Sequence, residues 1–519
     1  MQSSVSPLLP DWLTRCAENM PGHLAVRCGQ TCWSFAELAG QAARLARQLA
    51  AAGVRAQSRV ALLASNGLAY VATVHALTRL GAVLVPLNTR LTRDELCWQL
   101  LDVRAELLVG DDSMLERANQ LVASIPELPL AILRTASPAP GLTEVMLHYP
   151  GAGAYPEGEI GERTLVDLAM IQAIIYTSGT TGKPKGVLIT YGMQWWNAAG
   201  SALNLGHSAD DCWLACLPLF HIGGLSILIR SVIYGISVVL LEKFDEIEVN
   251  RAICQERVTI ISVVAVMLQR MLVALEAQGS EARYPASLRC VLLGGGPAPR
   301  PLLEQCADRA IPVAQTYGLT ESCSQAVTLA PADALRKPGS AGRPLASVQL
   351  QIRQDGRILP ANEPGIIYLK GPTITPGYAD RPTVTAQAVQ EGWLCTGDVG
   401  YLDADGYLYV LDRRSDLIIS GGENIYPAEV ESVLLAYPDV AEVGVCGQNH
   451  PQWGQIPVAF VKLHPGCMPD AESILEYARQ RLARYKVPRM LYFVEELPRN
   501  SSGKLLRREL SALLPPVPS

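Results

Sequence analysis

Residues 172–187 read QAIIYTSGTTGKPKGV, and this segment decides how the rest of the chain is interpreted. The apolar residues 172–176 are typical of a buried strand, and a loop rich in Gly, Thr, Ser and Lys follows them directly. Because glycine has no Cβ, such a loop brings backbone N–H groups close to phosphate oxygens. The hydroxyl and ammonium groups add donors, which disfavours the alternative of a flexible linker. The candidate phosphate-binding residues are Thr177, Ser178, Gly179, Thr180, Thr181, Gly182, Lys183 and Lys185.

The chain before this loop alternates short β-branched runs with amphipathic helical patterns. Such alternation is typical of βαβ units and of a largely parallel sheet covered by helices. Thr92 and Glu95 have the spacing of a capping box that opens a helix. Residues 136–164, rich in Pro, Gly and Glu, are expected to form an exposed loop. The predicted helices span 34–52 and 68–80, and the predicted strands span 59–64, 82–86 and 106–110.

The pattern changes towards the C-terminus. Short strands separated by Asp-Gly and Pro-containing turns indicate a small β-rich subdomain over about 339–411. After the charged residues 412–416 comes a mixed α/β segment of about one small domain in size. The sequence therefore predicts an N-terminal domain over 1–412 and a C-terminal domain over 413–519.

The composition excludes several classes of partner. The 519 residues contain 43 Lys and Arg against 49 Asp and Glu, a net charge of −6, so no nucleic-acid partner is expected. The apolar runs are too short to span a bilayer, and neither membrane insertion nor a signal peptide is expected. The 13 cysteines lack zinc-site spacing and suit the reduced thiols of a cytoplasmic protein. The oligomeric state is left open, with a homo-oligomer among the options.

Five further motifs occur in a fixed order. They are PLFH at 218–221, QTYGLTE at 315–321, TGD at 396–398, DRR at 412–414 and PRNSSGK at 498–504. Together with the phosphate loop, they resemble the motifs of the adenylate-forming superfamily of acyl- and aryl-CoA ligases, luciferases and peptide-synthetase adenylation domains. The resemblance implies an α/β fold with a large N-terminal domain of two mixed or parallel sheets with helices, a small β-rich subdomain and a small, mobile α+β C-terminal domain.

The resemblance also implies a reaction, in which ATP and Mg²⁺ convert a carboxylate into an acyl-adenylate and coenzyme A then forms a thioester. Lys504 resembles the lysine that reaches the α-phosphate and the attacking carboxylate, two anions that need positive charge between them. Glu321 resembles the magnesium-holding carboxylate, and Thr320 the hydroxyl beside the α-phosphate. The other nucleotide contacts implied in this way are Gly295, Gly296 and Tyr317 at the adenine, and Asp398 and Arg413 at the ribose.

Taken singly, several of these residues would be assigned differently. Asp398 follows a glycine and would suit a turn, and Arg413 and Lys504 would suit an exposed surface. His221 lies where the superfamily gates its acyl pocket, but a lone histidine there would also suit a satisfied core position. The order of the motifs favours the site roles over these alternatives.

Formation of the acyl-adenylate and formation of the thioester, the two half-reactions, need different arrangements of the site. The loop that carries Lys504 must leave before the thiol of coenzyme A can enter. The resemblance implies that the C-terminal domain rotates between two poses about a hinge at Ser415, where many relatives have Asp or Lys. Gly421 and Gly422 resemble the loop that faces the pantetheine channel in the second pose. These two glycines are therefore the candidate coenzyme A contacts.

Residues 82–92, 218–235 and 412–429 resemble one branch of the superfamily more closely, the o-succinylbenzoate–CoA ligases of menaquinone biosynthesis. Their substrate keeps a second carboxylate in the pocket, and a buried anion needs a partner. Arg230 is the candidate counter-charge, with Ser322 as a further substrate contact. The alternative for Arg230 is a helix surface from which its charged head reaches water.

Two other functions remain open. A ligase for medium-chain fatty acids or another aryl acid would share every catalytic motif and differ in the polarity of its pocket. A stand-alone adenylation protein would load a carrier protein, and a carrier domain would be expected after Lys504, where the sequence shows none. A non-enzymatic binding protein is disfavoured because the phosphate loop, Glu321 and Lys504 are all retained.

Overall fold

The protein has an α/β fold, as the sequence predicts, and its strands form two large and several smaller sheets. The large sheets contain seven and nine strands, and sheets of six and five strands follow along the chain. Among the described residues, no helix is both long and apolar enough to cross a membrane. The computed structural model describes residues 7–139, 142–149, 153–159, 164–177, 184–279, 282–296, 298, 300–334, 336–413, 416–420, 423–450, 453–482, 484–499 and 505–514.

The elements before the phosphate loop follow the predicted alternation. The capping box is confirmed, since Glu95 N donates to Thr92 Oγ1 at 3.3 Å and Thr92 N to Glu95 Oε2 at 2.7 Å. The elements are β1 Leu8–Pro10, α1 Trp12–Asn19, β2 Leu24–Cys28, β3 Thr31–Ser34, α2 Phe35–Ala51, β4 Arg59–Leu63, α3 Leu68–Leu80, β5 Val83–Pro86, α4 Arg93–Asp102, β6 Leu107–Asp111, α5 Leu115–Ser124, β7 Leu130–Ala139, β8 Leu142–His148, β9 Leu165–Asp167 and β10 Ile171–Thr177.

The expectation of an exposed loop over 136–164 was wrong for its first part. Strands β7 and β8 pair antiparallel there at the edge of the seven-stranded sheet. Val145 and Leu147 alternate along β8 and are fully buried. Their amides donate to the side-chain oxygens of Gln41 and Gln48 on α2 at 3.1 and 2.9 Å. Two inward-facing apolar residues therefore outweigh the Pro- and Gly-rich composition around them.

The nine-stranded sheet carries the middle of the chain. Five of its strands, Cys212–Ala215, Ser237–Leu240, Ile260–Val264, Cys290–Gly294 and Val313–Tyr317, run parallel to one another, so that their carboxyl ends lie along one edge. In an open α/β sheet, ligands bind at such an edge. The elements are β11 Lys185–Thr190, α6 Tyr191–Leu205, β12 Cys212–Ala215, α7 Ile222–Tyr234, β13 Ser237–Leu240, α8 Glu246–Gln255, β14 Ile260–Val264, α9 Ala265–Glu276, β15 Cys290–Gly294, α10 Arg300–Asp308, β16 Val313–Tyr317, β17 Val327–Thr328 and β18 Arg343–Pro344.

The two smaller sheets use later segments of the chain. The six-stranded sheet is antiparallel throughout, and the five-stranded sheet is antiparallel apart from its last strand. The elements are β19 Gln349–Gln354, β20 Arg357–Ile358, β21 Gly365–Lys370, α11 Pro382–Ala388, β22 Val389–Gln390, β23 Trp393–Leu402, β24 Leu408–Arg413, β25 Ile418–Ser420, β26 Glu423–Ile425, α12 Pro427–Leu435, β27 Val440–His450, β28 Gly454–Leu463, α13 Ala471–Arg479, β29 Met490–Phe493 and α14 Arg507–Leu510.

The apolar core is divided along the chain. The large sheets and their helices pack in three clusters, which include the buried residues Phe35, Leu268 and Val85 respectively. Two further clusters, which include Phe460 and Val445, consist entirely of residues from 418 onward. Each part therefore buries its own apolar surface, which is what an independently stable unit requires.

Candidate active site

The two arms of the phosphate loop are strands β10 and β11, which pair antiparallel in the seven-stranded sheet. Thr177 lies opposite Lys185 in this pair, so both ends of the loop are fixed. A Cβ on Gly186 would lie 2.7 Å from Ile174 Cγ2, which explains why the returning arm needs glycine at this point. Of the predicted phosphate contacts, residues 178–183 lie outside the described residues.

The predicted adenine-binding residues follow two neighbouring parallel strands. Gly295 and Gly296 come directly after β15 and are exposed, and Gly295 has a φ of +80°. Tyr317 is the last residue of β16, which pairs with β15. A Cβ on the next residue, Gly318, would lie 1.7 Å from the carbonyl oxygen of Ser324. The chain can fold back on itself here only because position 318 is glycine.

A tight turn after β16 places the two residues predicted to act at the α-phosphate and the cation. Thr320–Ser322 forms one turn of 3₁₀-helix, and Leu319 N donates to Ser322 Oγ at 2.9 Å. Cys323 and Ser324 follow with φ values of +58° and +86°. Left-handed backbone is uncommon for non-glycine residues, and two in succession mark a strained segment next to the site. The fully buried Ser322 uses its hydroxyl within this turn, so its role towards substrate stays a prediction.

Glu321 is held by a residue that sequence reasoning missed. Tyr378 Oη donates to Glu321 Oε1 at 3.0 Å, and Thr375 N donates to the Glu321 carbonyl at 2.8 Å. The segment that contains Thr375 and Tyr378 also contacts β11, the strand that follows the phosphate loop, where Tyr378 lies opposite Val187. No local pattern marks Tyr378, because its partner is 57 residues away along the chain.

The structure also brings Tyr317 and Asp398 together, 81 residues apart in sequence. Tyr317 Oη donates to Asp398 Oδ2 at 2.7 Å, and Asp398 is buried, with 6% of its surface exposed. Arg413 lies opposite Asp398 in the pairing of β23 with β24. The two predicted ribose contacts are therefore neighbours in one sheet, beside the predicted adenine contact.

His221 lies directly before α7, in the PLFH segment that follows β12. Burial, with a smaller contribution from Arg90, lowers the pKa of His221 from its usual 6.5 to about 4, so the imidazole is neutral at pH 7. Asn66, which sequence reasoning missed, supports this segment. Its Oδ1 accepts from Leu219 N at 2.9 Å, and its Nδ2 donates to Leu217 O at 3.0 Å.

Arg230 is among the largest fully buried side chains of the protein, with 2% of its surface exposed. The alternative of a head group that reaches water is therefore wrong. Arg230 Nη2 donates to Asn197 Oδ1 at 2.5 Å, and the guanidinium carbon lies 5.4 Å from the centre of the Trp213 ring. Among the described residues, Arg230 Nε has no hydrogen-bond partner and no carboxylate pairs with this guanidinium.

The predicted lysine, hinge and coenzyme A residues fall outside the described residues, namely Lys504, Ser415, Gly421 and Gly422. The chain on either side of the lysine loop is described, and Arg499 and Leu505 form a bridge that closes the loop. Arg499 Nη2 pairs with Glu442 Oε2 at 2.6 Å, so one flank is tied to β27. On the other flank, Arg507 pairs with Glu431 of α12 at 2.6 Å.

Comparison with known proteins agrees with this arrangement. A family model described as AMP-binding enzyme matches residues 13–379, and a model of the AMP-binding enzyme C-terminal domain matches residues 429–504. The chain is 52% identical to a 2-succinylbenzoate–CoA ligase of Geobacillus kaustophilus, over 98% of each chain.

Solved structures of the Bacillus subtilis o-succinylbenzoate coenzyme A synthetase are also similar. One is a complex with the acyl-adenylate intermediate OSB-AMP. It is 42% identical to this chain, with a TM-score of 0.87, and the match covers 97% of this chain and 98% of that chain. Another contains ATP and magnesium ion, with 43% identity, 97% and 100% covered, and a TM-score of 0.87.

These matches run through the segments that carry the site. The first family model includes the phosphate-loop strands and Glu321, and the second ends at Lys504. The phosphate-loop, PLFH and QTYGLTE motifs lie within the range of the first model, and the PRNSSGK motif lies within that of the second. This chain belongs to the AMP-binding enzyme family.

Proposed function

We propose that this protein is an AMP-forming 2-succinylbenzoate–CoA ligase, as used in menaquinone biosynthesis. In the first half-reaction, an oxygen of the succinyl carboxylate attacks the α-phosphorus of ATP, and the bond to pyrophosphate breaks. In the second, the sulfur of coenzyme A attacks the acyl carbon of the adenylate, and AMP leaves. The relatives with this activity support the proposal, since they match nearly the whole chain.

The buried guanidinium of Arg230 is the observation that carries the choice of acid. A buried charge without a partner is costly, and arginine keeps its charge at neutral pH. A plain fatty acid has no group to offset that charge. The second carboxylate of 2-succinylbenzoate would offset the charge of Arg230, because a guanidinium binds a carboxylate through two parallel N–H donors.

The neighbours of Arg230 are rich in donors as well. Gln194 Nε2 and Gln325 Nε2 are buried and lack an acceptor, like Arg230 Nε. Gln194 accepts from Ser226, one helical turn before Arg230, and Asn197 Nδ2 donates to the carbonyl of Gln325 at 2.6 Å. A buried cluster with spare N–H groups favours an anionic ligand, because each of these groups needs an acceptor.

The nucleotide would lie along the carboxyl ends of β10, β15 and β16. We infer that Tyr317 and the exposed Gly295 and Gly296 hold the adenine, and that Asp398 accepts from the ribose hydroxyls. Thr320 and Lys185 would contact the phosphates. Lys504 would place its positive charge beside the attacking carboxylate oxygen and the α-phosphate of ATP.

Glu321 fits a magnesium ion that accompanies ATP. Among the described residues, no group of three or more His, Cys, Asp or Glu side chains could hold a metal alone. A single carboxylate beside a phosphate loop suits Mg²⁺, which prefers one or two carboxylates together with phosphate oxygens. When bound, Mg²⁺ neutralises charge on the phosphate oxygens. Glu321 would hold it through the oxygen that Tyr378 leaves free.

We also propose that the chain divides near residue 413 into a large N-terminal domain and a C-terminal domain that moves between the half-reactions. The separate apolar clusters from residue 418 onward support this division. Ser415 would be the pivot, and Gly421 and Gly422 would face the thiol in the second pose.

A pyrophosphate-release assay with ATP and Mg²⁺ tests the proposal. The acids are 2-succinylbenzoate, benzoate, a coumarate and several fatty acids, each with and without coenzyme A. We expect release with 2-succinylbenzoate alone, and the thioester only after coenzyme A is added. Preference for a fatty acid or a simple aryl acid would keep the reaction class and overturn the choice of acid.

A further inference from the structure

Tyr378 lies between Glu321 and the returning arm of the phosphate loop. Its hydroxyl donates to Glu321 Oε1 at 3.0 Å, and Lys185 Nζ lies 5.4 Å from the centre of its ring. A phenol ordinarily loses its proton only at about pH 10, so at neutral pH the Tyr378 hydroxyl is a donor and Glu321 Oε1 its acceptor.

The segment that carries Tyr378 is itself fixed on two sides. Thr375 N donates to the Glu321 carbonyl, and Thr375 Oγ1 donates to the Leu188 carbonyl at 2.6 Å. Leu188 N in turn donates to the Gly377 carbonyl at 3.0 Å. The ring of Tyr378 thus has a fixed position relative to both β11 and the turn that carries Glu321.

We propose that Tyr378 is a positioning residue that holds the Glu321 carboxylate in one orientation for the divalent cation accompanying ATP. The hydroxyl occupies Oε1 and leaves Oε2 for the cation, while the ring face lies beside the ammonium group of Lys185. The proposal rests on the assignment of Glu321 as the cation-holding carboxylate. Without the hydroxyl, the glutamate side chain regains rotamer freedom that it must lose again when the cation binds.

The test uses Tyr378→Phe, which removes the hydroxyl and keeps the ring. The matched control is Tyr401→Phe, since Tyr401 stacks on Tyr409 with ring centres 5.0 Å apart. In the full-length protein with ATP and no acid, the binding of Mn²⁺ is titrated by the loss of its free electron-spin resonance signal. In parallel, pyrophosphate release with 2-succinylbenzoate is measured against Mg²⁺ concentration.

For Tyr378→Phe we expect Mn²⁺ binding weakened about tenfold and a matching rise in the Mg²⁺ needed for half-maximal rate, with kcat at saturating Mg²⁺ near that of the wild type. The Tyr401→Phe control should behave like the wild type. Unchanged Mn²⁺ binding, or a lower kcat that saturating Mg²⁺ does not restore, would overturn the proposal.

A third variant, Glu321→Gln, separates this inference from the assignment on which it rests. Loss of Mn²⁺ binding in Glu321→Gln with no change in Tyr378→Phe would reject the role of Tyr378 alone. Unchanged Mn²⁺ binding in Glu321→Gln would reject the cation assignment itself, and the role of Tyr378 with it.

Discussion

At the scale of single residues, Arg230 would distinguish the proposed acyl pocket from one built only of apolar side chains. Its guanidinium packs against the Trp213 ring and bonds to Asn197, both of which are buried. Burial lowers the pKa of Arg230, and the opposing effects of the neighbouring Tyr234 and Cys323 are smaller. A second carboxylate on the substrate is the group that would complete this arrangement.

Replacing Arg230 by methionine should therefore change the choice of acid more than the chemistry. We expect Arg230→Met to lower kcat/KM for 2-succinylbenzoate on the order of 100-fold, because the second carboxylate loses its charged partner. Benzoate, which has no second carboxylate, serves as the internal control and should change little. Steady-state kinetics with both acids measure the effect, and a parallel loss for the two would place Arg230 outside the pocket.

Two buried histidines give the protein a defined sensitivity to acid. Burial lowers the pKa of His75 and of His221 from 6.5 to about 4. The unfolded chain takes up these protons below pH 6.5, whereas the folded chain does so only near pH 4. The stability that each neutral histidine contributes is complete above pH 6.5 and is lost as the pH falls towards 4.

Between pH 7 and pH 5, each of these histidines should lower the free energy of unfolding by about 2 kcal/mol. Urea unfolding followed by tryptophan fluorescence at both pH values measures this change. His75→Gln should reduce the difference between the two pH values by about that amount. His464→Gln, at an exposed position, should leave the difference unchanged. An equal difference in all three proteins would show that the buried imidazoles do not control acid sensitivity.

At this scale, sequence motifs predict which residues have chemical roles but not which residues hold them. Glu321, Tyr317 and Asp398 carry family motifs, and in the structure Tyr317 bonds to Asp398 and Tyr378 bonds to Glu321. Tyr378 and Asn66 carry no motif of their own. Their partners lie 57 and 153 residues away, and only the folded chain brings such residues together.

At the scale of elements, two arginines anchor the described residues on either side of the predicted lysine loop. Arg507 donates from Nε and Nη2 to both oxygens of Glu431, which also accepts from Val445 N at 2.9 Å. Arg507 Nη1 also reaches Asp416, one residue after the predicted hinge, at 3.4 Å. Arg507, which follows the predicted lysine loop, is therefore linked to Asp416, two residues before β25 begins.

We expect Arg507→Met to slow pyrophosphate release more than the second half-reaction, because the loop that carries Lys504 loses one anchor. The nearly buried Glu431 would be left without its partner, at a cost of roughly 2 kcal/mol in the stability of this region. The Val445 amide donates a hydrogen bond to Glu431, so its hydrogen exchange should become faster in Arg507→Met. Arg508→Met, at the next and exposed position, is the matched control. Equal effects of the two variants would show that the Arg507–Glu431 pair has no role in the first half-reaction.

Regular elements could be predicted where local signals agree. The helix predicted over 68–80 is confirmed as Leu68–Leu80, and the strand predicted over 172–176 as Ile171–Thr177. The predicted loop over 136–164 failed because the burial of β8 depends on α2, about 100 residues earlier in the chain. Edge strands of this kind are decided by tertiary contacts rather than by composition.

At the scale of the whole molecule, the proposed site combines residues from the two large sheets and the six-stranded sheet, and the predicted lysine, Lys504, comes from beyond residue 418. The separate apolar clusters from residue 418 onward support the proposal that the last part of the chain moves as a unit. In that proposal, the lysine is needed in the first half-reaction and leaves the site before the second.

Lys504→Ala tests this account. We expect pyrophosphate release to fall on the order of 100-fold or more, since the charge at the α-phosphorus is lost. Conversion of a supplied acyl-adenylate to the thioester should be nearly unaffected. Rapid-quench assays of each half-reaction give both rates, with Arg508→Ala as control. Equal loss in the two half-reactions would contradict the two-pose account.

The buried guanidinium of Arg230 also has a consequence for how this protein can evolve. A charge without a counter-ion destabilises the fold whenever the substrate is absent, and an apolar residue of similar size would remove that penalty. A single substitution of Arg230 by an apolar residue is therefore expected both to stabilise the fold and to relax the choice of acid. Under the proposed role of Arg230, selection for use of 2-succinylbenzoate would oppose that substitution.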